Sequence, residues 1–559
     1  MNFRIRLKTL SCAGSLWVTL FAATLLADTS KISPDLLPLL AQPNRQVQVI
    51  VQYNNATPSC SSSGLLGTVL CTLGGVVRGT VTNVFDLING LSATLKAGDI
   101  LNLSNQPNVS YISLDRSLNG SLDYVGDAAN APAAWNSGLT GAGVGIAIVD
   151  SGIYAHPDLA GGHGSRIVYR EDFTNSATLT DDYGHGTHVA GIAAGNGSSS
   201  SQPGSTHVLR GIAPGANLID LRVLDQNGSS SDSLVIAAIQ RAVRLKSKYN
   251  IRIINLSLGR PIFESCTQDP LCQAVEAAWN NGLVAVVAAG NLGRSGYATI
   301  TSPGNSPHAI TVGCMKTMET YLRSDDQIAS YSSRGPSYID LTVKPDVVAA
   351  GNLVVSLLAP GSTLATEYPD NVVPPSYYNA SGNGAPMYMR LSGTSMATPV
   401  ISGAAALMLQ KHPSLSPDTV KARLMKTATK SFPPYSVASD PSTGMTYMDT
   451  YDLFTVGAGY IDIGAALASS DVANRSAASP VVIYNPLIHF ALLKPGFNEI
   501  WGSNVVWGTN VVWGSAEFVG GTNVVWGSNV VWGSSSNWGS NVVWGSNVVW
   551  GSTLVNGEQ

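Results

Sequence analysis

The hydrophobic pattern of the chain predicts buried strands and helices in a large α/β domain. Residues 144–149 and 283–288 are apolar on both faces, which is typical of central strands in a parallel sheet. Residues 400–409 form an apolar run that is too long for a strand, so they predict a buried helix that Pro413 ends. Pro399 is compatible with this helix only in its first turn. A last short helix is predicted at residues 463–468.

An N-terminal segment has a different pattern and predicts a small α+β unit. Apolar residues at alternate positions between Gln46 and Tyr53 predict a half-buried strand. Residues 88–93 predict a second strand, residues 96–103 a helix and residues 109–112 a third strand. Residues 61–75 are rich in Ser and Gly and predict a loop.

Composition favours an exported globular protein without nucleic-acid partners. The chain has 559 residues, 44% hydrophobic and 12% charged, with a formal net charge of -4 and no basic cluster. Three basic residues precede an apolar run at residues 13–26, so we expect residues 1–27 to be a secretory signal peptide. No later run is long enough for a transmembrane segment, so the remaining chain is expected to be soluble, secreted or attached to the cell surface.

The cysteines are compatible with export. Cys12 lies in the signal segment, while Cys60 with Cys71 and Cys266 with Cys272 are close enough in sequence to pair. Cys314 is then left over. An oxidising compartment permits such disulfides, but the sequence alone does not establish the pairing.

Asp150 is the first candidate for chemistry, because it follows the apolar strand at residues 144–149. The carboxyl ends of parallel strands are where α/β sheets place their functional residues. A strand-terminating turn residue is the alternative. The Gly-x-Gly at residues 141–143 precedes the strand instead of following it, which argues against a nucleotide site.

Two histidines, His185 and His188, are three residues apart where a helix of small residues begins. This spacing places them on one face, so metal binding is an alternative. However, the zinc-protease pattern needs Glu after the first histidine and one more residue of spacing, and Gly186 stands there instead. We expect His188 to be a core residue and His185 to face a cleft.

Ser395 lies in the stretch Leu391 to Pro399, at the start of the long apolar helix. Unpaired backbone N–H groups and the positive end of the helix dipole would stabilise an oxyanion there. The alternative is that Thr394 or Ser395 only caps the helix.

Together, these candidates occur in the chain order Asp, His, Ser, which is that of subtilisin. Val-Asp-Ser-Gly-Ile, His-Gly-Thr-His-Val-Ala-Gly and Gly-Thr-Ser-Met-Ala-Thr-Pro resemble the signature blocks of the subtilisin-like serine proteases. The resemblance extends over about residues 135–468. It implies a mostly parallel sheet flanked by helices, and a serine endopeptidase that acts on proteins or peptides.

The resemblance also implies residue roles. Ser395 would be the nucleophile, His185 the general base, Asp150 its orienting partner and Asn291 an oxyanion donor. Two edge segments would bind an extended peptide as an added strand, and a third segment would line the pocket before the cut. These segments comprise Gly228, Ser229 and Ser230, then Ser257, Leu258 and Gly259, then Ala288, Ala289 and Gly290.

No cofactor is expected for the chemistry. Asp158 matches a family calcium ligand, but the loop at residues 196–209 is longer and richer in Ser than the usual calcium loop. A structural calcium ion is therefore possible but doubtful on sequence grounds. The N-terminal unit resembles the inhibitory propeptides of the family, which implies a zymogen that cuts itself between about Leu118 and Ala134.

The C-terminal region is a repeat of Trp-Gly-Ser/Thr-Asn-Val-Val. An even period predicts β structure, either a solenoid or stacked hairpins, and about 59 residues are too few for a membrane barrel. Exposed Trp could bind glycan or the cell wall, and a self-associating structural tail is the alternative. The predicted segments are a signal peptide at 1–27, an inhibitory propeptide at 28–123, a catalytic domain at 124–470, a linker at 471–500 and a repeat tail at 501–559.

Two functional alternatives remain at this point. A catalytically silent relative would keep the fold and fail to react with a serine-directed probe. A repeat-driven surface adhesin would retain its binding after removal of the protease domain.

Overall fold

The fold is described from a computed structural model of the whole chain. The residues that it describes are 28–33, 36–54, 69–73, 77–85, 89–114, 124–162, 164–174, 176, 178–440, 443–485 and 490–493. They fall into two compact units, divided between Leu118 and Asn119. The predicted signal segment, Cys60 of the predicted Cys60–Cys71 pair and the repeat tail lie outside the described residues.

The first unit is an antiparallel sheet with one helix. Its elements are β1 (Gln46–Tyr53), β2 (Val69–Leu73), β3 (Val77–Phe85), β4 (Gly90–Lys96), α1 (Ala97–Ser104) and β5 (Val109–Leu114). The sheet order is β2-β3-β4-β1-β5. The three predicted strands and the helix are confirmed, and alternate residues of β1 are buried. The loop prediction is wrong at residues 69–73, because this stretch pairs with β3.

The second unit contains the remaining elements. Its first half comprises α2 (Val125–Ala128), α3 (Pro132–Trp135), β6 (Gly145–Asp150), β7 (Ala160–Gly161), β8 (Gly164–Ser165), β9 (Ile167–Asp172), α4 (His185–Ala194), β10 (Asn217–Arg222), α5 (Asp232–Tyr249), β11 (Ile251–Leu256), α6 (Pro270–Asn280) and β12 (Val284–Ala288). Its second half comprises β13 (Ile310–Lys316), β14 (Gln327–Ile328), β15 (Val347–Ala350), β16 (Val354–Leu357), α7 (Thr363–Glu367), β17 (Val372–Val373), α8 (Pro375–Tyr378), β18 (Tyr388–Leu391), α9 (Thr394–Lys411), α10 (Pro417–Thr427), β19 (Tyr435–Ser439), β20 (Thr446–Thr450), α11 (Leu453–Val456), α12 (Ile463–Ala468), β21 (Val482–Asn485) and β22 (Phe490–Leu493).

A sheet of eight strands is the centre of this unit. Its order is β14-β13-β12-β11-β6-β10-β9, with β15 also paired to β13. All pairs are parallel except β13 with β14. Every residue of β6 and β12 is buried, as the two-sided apolar pattern predicts. Helices α4 and α9 contact each other and the sheet, and so do α5 and α6. The observed α/β architecture therefore agrees with the predicted fold class.

Helix α9 confirms the predicted buried helix, with one correction. Residues Thr394 to Leu409 are all buried, and the helix ends at Lys411, before Pro413. Pro399 is not in the first turn, because the helix already begins at Thr394. A proline at this position has no N–H for the carbonyl four residues earlier.

Residues 471–482, the first part of the predicted linker, are hydrogen-bonded to the second unit. The Ala477 N–H donates to Asp418 Oδ1 at 2.7 Å, and the Val482 N–H donates to the Leu341 carbonyl at 2.9 Å. This stretch is therefore part of the packed structure of the unit.

One of the predicted disulfides lies within the described residues. Cys266 and Cys272 form a disulfide with a Cα–Cα distance of 5.2 Å. Cys314 is buried, with its sulfur 3.2 Å from the Tyr331 hydroxyl. Among the helices of the described residues, none combines the length and hydrophobicity that crossing a membrane requires.

Candidate active site

Four neighbouring parallel strands carry the predicted site segments at or just after their carboxyl ends. Asp150 is the last residue of β6, and residues 257–259 directly follow β11. Residues 288–291 are at the end of β12, and residues 228–230 are in the loop after β10. Since these four strands are adjacent in the order β12-β11-β6-β10, the segments share one edge of the sheet.

His185 is held against Asp150 by the start of helix α4. Its Nδ1 lies 2.7 Å from Asp150 Oδ1, and both side chains are fully buried. The helix can approach β6 this closely because the next residue is Gly186, where a Cβ would lie 2.2 Å from the Gly152 carbonyl oxygen. The same fact explains why the glutamate of a zinc protease does not fit there.

The electrostatics of this pair favour a basic imidazole. Burial alone would lower the pKa of His185, but the charge and hydrogen bond of Asp150, with the charge of Asp181, raise it above its ordinary value. The hydrogen bond to Nδ1 places the Nδ1 proton toward Asp150, so Nε2 is the nitrogen left to accept a proton. Nε2 is buried and has no hydrogen-bond partner among the described residues.

His188 has a structural role, as predicted. Its Nε2 lies 3.0 Å from the Val354 carbonyl and 3.1 Å from the Met389 carbonyl. Burial, with the charge of His185, lowers the pKa of His188 to about 3, so the ring is neutral. The described residues contain no group of three or more His, Cys, Asp or Glu arranged for a metal ion. The bonding of both histidines therefore disfavours the zinc alternative.

Ser395 lies in the first turn of α9, where its hydroxyl donates to the Ser257 carbonyl at 3.1 Å. In return, the Ser257 hydroxyl donates to the Ser395 carbonyl at 2.8 Å. That carbonyl is the one for which Pro399 provides no N–H. Ser257 therefore provides the Ser395 carbonyl with the hydrogen bond that Pro399 does not provide. The same bond fixes Ser395 beside β11.

The capping alternative for this turn is wrong. The N-cap residue is Gly393, which has no side chain, so neither Thr394 nor Ser395 is the cap. Among the described residues, no hydrogen bond joins Ser395 Oγ to His185 Nε2, since Ser395 Oγ donates to the Ser257 carbonyl and His185 Nε2 has no partner. Catalytic hydrogen bonds are often long before substrate binds and tighten in the complex.

Asn291 is oriented by Thr394, the residue before Ser395. The Thr394 N–H and hydroxyl donate to Asn291 Oδ1 at 2.9 and 3.0 Å. Because an N–H can only donate, the amide oxygen is identified as the atom next to Thr394, and the amide nitrogen is directed elsewhere. Sequence reasoning considered Thr394 only as a cap, since nothing local indicates a contact with residue 291.

The predicted pocket segments share a neighbour that sequence reasoning missed. A Cβ at Gly259 would lie 2.5 Å from Thr301 Oγ1, and a Cβ at Gly290 would lie 2.8 Å from Thr301 Cγ2. Thr301 also donates to the Ala289 carbonyl at 3.2 Å. Its side chain therefore fills the space between residues 257–259 and residues 288–290.

Residues 228–230 lie on the other side of the site. A Cβ at Gly228 would lie 2.6 Å from the Tyr183 ring, whose centroid is 6.3 Å from that of His185. The Ser229 N–H donates to Asp225 Oδ1 at 2.9 Å, and the Ser230 hydroxyl contacts the next carbonyl of its own loop. This loop therefore approaches the histidine side of the site through Tyr183.

Asp158, the residue that matches a family calcium ligand, is bound by hydrogen-bond donors of the protein. Its Oδ2 accepts from the Tyr388 hydroxyl at 2.7 Å, and its Oδ1 accepts from the Ser199 N–H at 2.7 Å and the Ser198 hydroxyl at 3.0 Å. Both oxygens are thus engaged by protein donors.

Arg166 supplies the positive charge in this region. It donates to the backbone carbonyls of Asp158 at 2.7 Å, Ala194 at 2.6 Å and Ala216 at 2.9 Å. Carbonyl oxygens and a carboxylate are the ligands that calcium prefers, but here a guanidinium and hydroxyl donors bind them. The residues present therefore do not fit a calcium site at Asp158.

Comparison with known proteins adds independent findings. A sequence profile described as the subtilase family matches residues 141–459. The chain is 37% identical to serine protease AprX of Bacillus subtilis (strain 168) over 69% of its own length and 84% of the relative. It is 34% identical to subtilisin E of the same strain over 74% and 93% of the two chains. A solved structure of a cold adapted subtilisin-like serine proteinase aligns over 52% of this chain and 84% of its own, with 29% identity and a TM-score of 0.37.

Proposed function

Because the chain belongs to the subtilase family and is a serine endopeptidase, we propose that Asp150, His185 and Ser395 form its catalytic triad. The observation that carries this proposal is the buried hydrogen bond of 2.7 Å between His185 Nδ1 and Asp150 Oδ1, at the carboxyl end of a central strand. Family membership supports the reaction, and this pair supports the residue assignment.

The proposed reaction follows from the roles assigned to the three side chains. Ser395 Oγ attacks the carbonyl carbon of the scissile peptide while His185 Nε2 takes the hydroxyl proton. The same proton is then delivered to the leaving amine, which leaves an acyl-enzyme ester on Ser395. A water molecule repeats the sequence, and the ester is hydrolysed. Asp150 holds the imidazole tautomer throughout and stabilises the imidazolium that forms.

Asn291 is proposed as the donor to the oxyanion. Its oxygen is bound by Thr394, so its amide N–H groups are directed to the other side, where a tetrahedral intermediate on Ser395 would carry negative charge. The N–H of Ser395 at the start of α9 would be the second donor, and the helix dipole adds to the effect.

The proposed peptide site is formed by two segments that follow the carboxyl ends of β10 and β11. Residues 228–230 and 257–259 would bind the substrate main chain as an added strand, and residues 288–290 would line the pocket of the residue before the cut. Thr301 fills the space beneath Gly259 and Gly290. We therefore expect a shallow pocket that accepts small side chains more readily than large ones.

We further propose that the protein is secreted and made as a zymogen. The N-terminal unit has its own sheet and hydrophobic core, as a separable inhibitor requires. Within the interval expected for self-cleavage, residues 124–134 form two short helices whose apolar residues belong to the core of the second unit. We therefore narrow the cut to residues 118–123.

Peptide hydrolysis by single and double variants tests the triad. Ala at Ser395, His185 or Asp150 should each reduce kcat/KM by several orders of magnitude, and combinations should lose little more because the residues act as a unit. Additive losses would contradict the proposal. For the zymogen, Ser395→Ala should accumulate at a greater mass than wild type, and equal masses would contradict self-cleavage.

A further inference from the structure

A second buried carboxylate, that of Asp181, organises the helix turn that carries His185. Its Oδ1 accepts from the Gly184 N–H at 2.7 Å and from the Ser151 hydroxyl at 2.7 Å. Its Oδ2 accepts from the Thr187 N–H at 2.8 Å and from the Thr187 hydroxyl at 2.6 Å. The residue is 3% exposed, so these four bonds replace the hydration of its carboxylate.

All four partners of Asp181 are donors. The two N–H groups can only donate. The Ser151 hydroxyl accepts from the Gly186 N–H at 2.9 Å, and the Thr187 hydroxyl accepts from the Tyr154 N–H at 2.8 Å, so each gives its own proton to Asp181. Burial raises the pKa of Asp181 above its ordinary value, while the hydrogen bonds from Thr187, Gly184 and Ser151 oppose this rise. Because all four partners donate, the geometry favours the ionised carboxylate.

This carboxylate satisfies the N–H groups that begin α4. Residues 184 and 187 are bound directly, and residue 186 is bound through the Ser151 hydroxyl. N–H groups in the first turn of a helix have no partner within the helix, and a negative charge there is favourable. Gly184 is the formal cap, but it has no side chain to serve them.

The network also connects the two carboxylates that flank the imidazole. Ser151 directly follows Asp150 and donates its N–H to Asp150 Oδ1 at 2.8 Å, while its hydroxyl donates to Asp181. The oxygen that accepts from Ser151 is thus the same one that bonds His185. A displacement of Asp181 would therefore also displace the first turn of α4 and Asp150, the hydrogen-bond partner of His185.

On the basis of the proposed triad, we infer that Asp181 is a positioning residue for the reaction: it fixes the turn that presents His185 and places a second negative charge near its ring. It touches neither substrate nor reacting atoms.

His188 and Asp220 are also titratable, and their effects on the pH dependence have to be distinguished from the effect of Asp181. His188 on the same helix is neutral, as shown above. Asp220 on β10 bonds Arg170 on β9 at 2.9 Å, and burial raises its pKa to about 7. Asp220 therefore titrates in the range in which the histidine does, and the experiment has to remove it.

The test is the pH dependence of kcat/KM for Asp181→Asn, measured alone and with Asp220→Asn. Loss of one negative charge makes the imidazolium less favourable, so the acidic limb should move to lower pH by about half a unit in both backgrounds. The limiting kcat/KM should also fall about 10-fold through misplacement of His185. An unmoved acidic limb would overturn the inference.

Asp452→Asn is the matched control. Asp452 also accepts the N–H and hydroxyl of one threonine, Thr455, at a helix start, but α11 carries none of the predicted site residues. Asp452→Asn should lower the unfolding free energy without moving the acidic limb of kcat/KM. If it moved the acidic limb as far as Asp181→Asn does, the inference would be overturned.

If Asp181→Asn does not fold, Ser151→Ala is the second variant, because it keeps the charge of Asp181 and removes the hydroxyl that links Asp181 to Gly186. Ser151→Ala should lower kcat/KM several-fold and leave the acidic limb at the same pH. An unchanged kcat/KM would contradict the positioning role. The triad proposal is tested separately, by the loss of peptide hydrolysis in Ser395→Ala, so failure of the inference about Asp181 would leave it standing.

Discussion

Replacing Asp346 by Asn should strongly destabilise the second unit, because Asp346 is the shared counter-charge of two buried lysines. Lys344 Nζ lies 2.7 Å from its Oδ2, and Lys421 Nζ on α10 lies 3.1 Å from its Oδ1. Ser479, in the stretch after α12, donates its hydroxyl to the same Oδ1 at 2.5 Å. Both lysines have fully buried side chains.

The magnitude follows from the charges. Burial, opposed by the charge of Asp346, already lowers the pKa of Lys344 to about 7, and the two lysines lower the pKa of Asp346 in turn. Without the carboxylate, the pKa of Lys344 would fall further, so each lysine would either lose its proton or stay buried as an uncompensated cation. Removal of one partner of a buried ion pair costs about 3–5 kcal/mol of unfolding free energy. An amide at residue 346 would also direct an N–H₂ group toward a lysine.

The assay is urea unfolding in a Ser395→Ala background, which prevents self-digestion. The control is Asp471→Asn, which breaks the pair with Lys426 in the same C-terminal stretch, where the side chains are 55% and 38% exposed. A surface pair contributes about 0–1 kcal/mol, so the control should unfold near the parent midpoint. If Asp346→Asn cost no more than the control, the account of the buried cluster would be refuted.

Three further predictions concern catalysis and metal dependence. Asn291→Ala should lower kcat about 100-fold to 1000-fold with little change in KM, a magnitude taken over from subtilisin, and a loss mainly in KM would contradict the oxyanion role. The acidic limb of kcat/KM should lie above pH 6.5, because His185 acts only when unprotonated and its raised pKa retains the proton to higher pH; a limb below 6.5 would contradict this. A chelator should change the thermal unfolding midpoint of Ser395→Ala by less than about 2 °C relative to added calcium, since protein donors engage Asp158, and a larger fall would indicate a required ion.

Local hydrophobic pattern was sufficient to predict the main elements. The strand that ends at Asp150 and the helix that starts beside Ser395 are visible as apolar runs, because burial on all sides leaves no polar positions. Helix α12 was predicted with its observed bounds, 463–468. His188 was predicted as a core residue, and its two carbonyl contacts agree with that.

Contacts between distant segments could not be predicted from the pattern. The Tyr388 hydroxyl binds Asp158 across 230 positions of sequence, and nothing near either residue indicates the other. The same holds for Ser257, whose hydroxyl donates to the Ser395 carbonyl. This bond replaces the helical N–H that Pro399 lacks, which explains why the proline is tolerated beyond the first turn. Strand β2 was missed because the loop prediction rested on the Ser and Gly content of residues 61–75 as a whole, whereas Val69–Leu73 itself is mostly apolar and pairs with β3.

The most direct test of the central claim is to label the full chain with a serine-directed fluorophosphonate and to map the adduct by peptide mass spectrometry. The account predicts one adduct, on Ser395, that is abolished in Ser395→Ala and greatly slowed in His185→Ala, together with loss of peptide hydrolysis in both. An adduct on another serine, or hydrolysis that persists in Ser395→Ala, would contradict the assignment of Ser395 as the nucleophile.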